Sequence, residues 1–240
     1  MMGSFLTALQ FLTIVPAPGN RVPARGAMSF PVVGAGIGLA AAGIRLGAAR
    51  IFPGSIAALL ALGFLMVITG ALHEDGLADV FDAFRAGRSP ERIQAILKDS
   101  RIGVYGAAAL LIITLLRWQA IEFIDGGAVP ALVAAAGASR GVMVVFAHIS
   151  RPLGDGLGKA FCLGLRRRDV VLAGLQSAAL PFLCGSAAGA LGLCGNALAI
   201  LAARAYFHRR AGGVTGDCMG AVCLMSETFM LLVFVWLRST

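Results

Sequence analysis

The chain has 240 residues, of which 58% are hydrophobic and 13% charged, against about one quarter charged in an ordinary soluble domain. With a mean hydropathy of +0.86 it has too little polar surface to cover a water-soluble globule, which excludes a soluble enzyme, a nucleic-acid-binding module and a disordered chain. Twenty basic residues, 18 Arg and 2 Lys, face 12 acidic ones for a net charge of +8. In a membrane protein such an excess records topology, and no nucleic-acid partner is expected.

In chain order, residues 1–29 come first. Met1 to Asn20 is partly apolar and holds no Lys or Arg. A signal peptide needs a basic start, so this segment is expected to stay and to lie at the membrane interface. Seven spans follow, at residues 30–49, 51–72, 102–121, 127–147, 170–187, 190–207 and 218–237. Crossing takes about 20 apolar residues, and both Ile51 to Leu72 and Val170 to Ala203 are free of charge. Three of the spans are short or carry a charge, so the range is six to eight. The expected fold is an all-α polytopic membrane bundle, one domain over residues 1–240. Small residues such as Gly34, Gly36, Gly38, Gly185 and Gly189 would let helices approach closely in lipid. The five cysteines, Cys162, Cys184, Cys194, Cys218 and Cys223, show no zinc spacing and read as small apolar fillers.

Basic residues orient the bundle. With the N-terminus in the cytoplasm, the inner segments 1–29, 73–101, 148–169 and 204–217 hold two, five, five and three Lys or Arg, 15 of the 20. The outer connection Glu122 to Gly127 carries only acids.

Seven of the 12 acidic residues fall in three short stretches on the expected cytoplasmic side or at its membrane edge, counting Glu227, which follows the third. The first runs from His73 through Glu74 and Asp75 to Asp79 and Asp82. Asp75, Asp79 and Asp82 stand at i, i+4 and i+7, on one helix face. Stacked like charges repel, and a hard divalent cation such as Mg²⁺, bridging to substrate phosphates, would relieve them. A solvated helix face is the plainer alternative. The second stretch, Lys98-Asp99-Ser100-Arg101-Ile102-Gly103-Val104-Tyr105-Gly106, reads as a phosphate clamp or as a basic interface anchor. In the third, Gly212 to Gly220, Thr215 could cap the last helix and point its N-terminus at an anion, with Gly216 allowing close approach and Asp217 within reach of a shared metal. Glu227 and Arg140 lie inside spans, where a charge either meets substrate or finds a partner; for Glu227 the partner would be Arg140 or Arg117. Arg166 to Arg168 read as a topology anchor, and the loop 148–169 could cover a substrate.

Taken together, Phe11 to Pro16, Leu72 to Asp79 with Asp82, Lys98 to Gly103 with Tyr105 and Gly106, and Gly213 to Asp217 with Gly220 come in the order and spacing of the cobalamin synthase family. The resemblance covers essentially the whole chain. It implies an integral protein of the bacterial inner membrane, its active site facing the cytoplasm and its 73–101 region carrying the acids. The substrates it implies are adenosylcobinamide-GDP and α-ribazole or its 5′-phosphate, with Mg²⁺ as cofactor and GMP as leaving group. Carried onto this chain, Asp75, Asp79, Asp82, Glu74 and Asp217 would hold the metal, with Asp75, Asp79 and Asp82 catalytic and Asp82 the base. His73, Lys98, Ser100, Arg101, Tyr105, Arg140, Thr215, Gly216 and Glu227 would contact substrate. Membrane lipid surrounds such a protein, and association with other enzymes of nucleotide-loop assembly is compatible with it. Two rival readings are a CDP-alcohol-type membrane phosphotransferase, whose Asp-Gly-x₂-Ala-Arg run fails because Asp79 stands where Arg would, and a transporter using Arg140 and Glu227.

Overall fold

The computed structural model describes residues 2–20, 22–124 and 126–239; Arg21 and Asp125 of the charge pattern lie outside it. The described residues are almost entirely helical: α1 (Met2–Leu12), a 3-10 segment (Pro23–Ser29) running into α2 (Phe30–Ala48), α3 (Gly54–Ile68), α4 (Leu72–Ala86), α5 (Pro90–Ile96), α6 (Val104–Phe123), α7 (Ala128–Ile149), α8 (Leu157–Gly164), α9 (Arg167–Cys184), α10 (Ser186–Ala211) and α11 (Gly216–Ser239). The chain is a polytopic helical membrane bundle. Among the described residues five helices are long and apolar enough to cross a membrane, Pro23–Ala48, Val104–Phe123, Ala128–Ile149, Ala187–Ala211 and Gly216–Arg238, and α3 with α4 makes a sixth if that bent pair counts as one span. The remaining expected span, 170–187, corresponds to α9, which is more polar because Arg167, Arg168 and Asp169 begin it and Gln176 and Ser177 lie within it.

Helices α7 and α11 form the centre, and α10 is the most exposed of the crossing helices. α2 lies along α7 with its backbone almost touching: a Cβ on Gly38 would lie 2.6 Å from the Leu132 carbonyl carbon, and one on Gly34 3.1 Å from the Arg140 side chain. Gly36, between them, faces open space. In lipid, where water does not drive helices together, such close backbone contact supplies much of the attraction.

The expected span 51–72 ends early, at Ile68. Gly70 and Ala71 both take left-handed backbone angles, with φ of 60° and 55°, and the Ala71 amide reaches back to the Met66 carbonyl at 2.8 Å. The break turns α4 by 85° from α3. α4 carries Glu74, Asp75, Asp79, Asp82 and Arg85 within fifteen residues, too many charges for lipid, so we place it outside the crossing set.

The four segments rich in Lys and Arg meet at one end of the bundle. Arg210 donates to the Phe84 and Gly87 carbonyls at 3.0 and 2.8 Å. Leu153 and Val214 pair through their backbones, and Phe11, Phe30 and Phe161 stack with centroids 5.5 to 6.1 Å apart. At the far end Arg45 reaches the Glu122 carbonyl and Trp118 donates to Ser55.

Ala71 in the left-handed region costs about 1–2 kcal/mol relative to a relaxed residue. Ala71→Gly is therefore expected to raise the thermal unfolding midpoint of the detergent-purified protein, and Gly70→Val to lower it.

Candidate active site

α4 is fixed by a buried set of four charges. Arg117 of α6 donates to Glu74 at 2.8 Å and to Glu227 of α11 at 2.5 Å. The second Glu227 oxygen accepts from Arg140 of α7, whose guanidinium also reaches Ser139 at 3.0 Å and the Ala136 carbonyl at 3.2 Å. All four side chains are buried, and the two cations balance the two anions. A lone charge in this apolar interior would be costly; paired, the four tie α4, α6, α7 and α11 together. Of the two readings of Glu227, the structure shows the pairing with Arg117 and Arg140, and Arg140, Glu227 and Glu74 stand in this scaffold, outside the lining of the cavity where a substrate or metal contact was the other expectation.

Asp82 is held by a second device. Its carboxylate accepts from the backbone N–H of Gly103 at 2.7 Å and of Gly106 at 2.9 Å, which are orphan donors at the start of α6. Both glycines are required, since a Cβ at either would run into that carboxylate. The Gly-x-x-Gly of the second motif is therefore a seat for Asp82. With both oxygens engaged and the side chain 8% exposed, the arrangement describes a positioning residue more readily than the base expected from the sequence.

The remaining acids gather beside a cavity of about 430 Å³ lined by His73, Asp75, Lys98, Thr215, Gly216 and Asp217, together with residues 153–156 and the start of α8 as far as Lys159. Gly76 brings the acids together: a Cβ there would lie 2.8 Å from the Asp217 carbonyl oxygen, so only glycine lets α4 cross the first turn of α11. Thr215 donates its hydroxyl to Asp217 at 3.1 Å, orienting that carboxylate where the sequence suggested a backbone cap. Asp79 is half-buried, and its carboxyl is pushed up to about 6, first by burial and then by the charges of Asp75, Asp217 and Asp82. His73 also faces the cavity; it is 2% exposed, and neither ring nitrogen has a partner among the described residues.

Other expected contacts lie elsewhere. Arg101 is exposed and forks onto Asp99 at 2.6 to 3.2 Å, which holds the Asp99 carboxyl down at about 2. Tyr105 lies under the Arg85 guanidinium, 5.6 Å from its carbon, and Ser100 is exposed outside the cavity lining. Sequence reasoning missed Gln94 and Lys159. The signal for the latter was the run Gly154-Asp155-Gly156-Leu157-Gly158-Lys159, as glycine-rich as the third motif. A larger cavity of about 550 Å³ lies among α4, α10 and α11, lined by Leu77, Val80 and Phe84. These come from the face of α4 opposite the acids, so it is not their site.

A Mg²⁺ ion suits what is present. Among the described residues no three His, Cys, Asp or Glu side chains come together to hold a metal ion. Mg²⁺ commonly needs only one or two carboxylates, completing its shell with water and substrate phosphate. Such a cation would relieve the repulsion among these carboxylates, which adds to burial in raising the Asp79 carboxyl.

The model of the cobalamin-5-phosphate synthase family matches residues 4–235. Similar proteins include an adenosylcobinamide-GDP ribazoletransferase of Mesorhizobium japonicum, 40% identical over 94% of this chain and 90% of its own length. Others carry the same name: one of Geotalea daltonii, 34% identical over 98% of both chains, and one of Acetivibrio thermocellus, 30% identical over 95% and 96%. No solved structure matches.

Asp82→Asn offers one acceptor oxygen where two are used, leaving one α6 amide unpaired at a cost of about 1–3 kcal/mol. The expected outcome is a lower unfolding midpoint and faster hydrogen exchange at the Gly103 and Gly106 amides.

Proposed function

Because the chain belongs to the cobalamin-5-phosphate synthase family, we propose that it moves the adenosylcobinamide phosphate of adenosylcobinamide-GDP onto α-ribazole or its 5′-phosphate, releasing GMP. It is a membrane-embedded transferase of cobalamin biosynthesis. The observation that carries the finer reading is the cavity holding Asp75, Asp217, Thr215 and Lys98 at the end of the bundle where the cationic segments meet. The concentration of Lys and Arg at that end supports a cytoplasmic orientation for it.

In this reading Asp75 and Asp217 would hold Mg²⁺, with Asp79 beside them, and the ion when bound would supply charge neutralisation for the diphosphate and the departing GMP. The chain's own residues do the rest. Lys98 takes a phosphate oxygen, as a point charge on a flexible stem can. Thr215 keeps Asp217 aimed at the cavity. His73, buried with both nitrogens unpaired, offers a hydrogen bond to whatever fills the cavity beside it. A ribose hydroxyl of the ribazole, other than the 5′ oxygen that the 5′-phosphate form has esterified, attacks the phosphorus on the corrinoid arm in line with the breaking bond to GMP, and its proton passes to a carboxylate of the cluster. Asp82 is the poorest candidate for that transfer, since α6 occupies both its oxygens. The transporter reading loses its support, because Arg140 and Glu227 neutralise each other.

Purified protein in nanodiscs, given adenosylcobinamide-GDP, α-ribazole and Mg²⁺, is expected to release GMP in equal amount to the corrinoid product, and to stop on addition of a chelator. GMP release that does not depend on ribazole, or none at all, would contradict the reading.

A further inference from the structure

Of the twenty basic residues only Lys98 and Lys159 are lysines, and both line the carboxylate cavity, while no arginine among the described residues does. Chance placement of two lysines among twenty cations would rarely give that result. Elsewhere the chain uses arginine as scaffold, network partner and surface charge alike. Something about this cavity excludes it.

The two side chains differ in how they let go. A guanidinium is a rigid planar fork that grips a carboxylate in two places, as Arg101 grips Asp99. Placed beside Asp75, Asp155 and Asp217, an arginine would lock onto one of them. An ammonium is a compact point charge with three rotatable donors and exchanges partners readily. Lys159 stands one turn from Asp155 at 3.1 Å, with its side chain 42% exposed and that of Asp155 96% exposed. Such a pair contributes little, so the ammonium can leave Asp155 for a stronger anion. Lys98 enters from the segment after α5 and Lys159 from α8, so two different elements bring cations to one space. The unpartnered His73 in the same lining independently indicates that the space is built for a ligand.

We propose that Lys159 is a diphosphate-binding residue that acts with Lys98 as a pair of exchangeable ammonium groups, and that arginine cannot replace it. The inference rests on the transferase reading above for the identity of the diphosphate. Its test is the equilibrium binding of GDP, with Mg²⁺ present, to the full-length protein in detergent. Lys159→Ala should weaken binding at least tenfold and Lys159→Arg at least fivefold, with unfolding midpoints unchanged. Asp155→Asn, which frees the ammonium, should bind at least as tightly as the native chain, whereas a merely structural ion pair would make it resemble Lys159→Ala. Wild-type affinity in Lys159→Arg, or no GDP binding by the native chain, overturns the inference. Lysine-dependent GDP binding without any GMP release from adenosylcobinamide-GDP overturns the assigned reaction instead.

Discussion

The rest of the structure depends on the neutralisation of two arginines by two glutamates inside an apolar bundle. Arg117, Arg140, Glu74 and Glu227 come from four helices, and none can be left unpaired without the several kcal/mol of desolvation that a buried ion incurs. The requirement is also geometric. α4 is turned away from its own span at Gly70 and Ala71, and without Glu74 the contacts that set its position would be chiefly apolar ones, which constrain direction weakly. The ion pairs fix it in place, and the neighbouring Asp75 is then delivered to the cavity.

Two further contacts complete the placement. The seat of Asp82 on the first turn of α6 pins the far half of α4, and Gly76 lets its near half cross α11 at Asp217. Glu74 and Asp82 thus belong to the framework, and Asp75 with Asp217 to the cavity. Asp79 lies between these two sets and feels the charge of both. Of the stacked carboxylates on α4, only some remain free to meet a cation or a substrate.

Much of this was legible in the sequence. Long charge-free runs leave a chain few choices but helices, and the clustering of Lys and Arg into four segments already placed those segments at one end. The i, i+4, i+7 spacing put three aspartates on one face of α4. The bend after Ile68 was hidden, because a single glycine inside an apolar run reads as packing and Ala71 carries no turn signal. The roles of Arg140 and Glu227 were open for another reason: they are 87 positions apart, and spacing cannot show whether such charges face each other or a ligand. Asp82 was obscured similarly, its partners lying 21 and 24 positions further on. Lys159 could have been found by asking why a chain so rich in arginine uses lysine there.

The division of the acids into framework and chemistry is tested most directly at two adjacent residues, Glu74 and Asp75. Glu74→Gln and Asp75→Asn each remove one charge from neighbouring positions of the same helix. Unfolding midpoint and GMP release should be measured on both proteins after purification. The account predicts that Glu74→Gln lowers the midpoint by breaking the buried network, a loss of about 3–5 kcal/mol if the pair is fully disrupted. Asp75→Asn should keep the native midpoint and lose GMP release by at least a hundredfold. A stable, inactive Glu74→Gln together with a destabilised, active Asp75→Asn would contradict it.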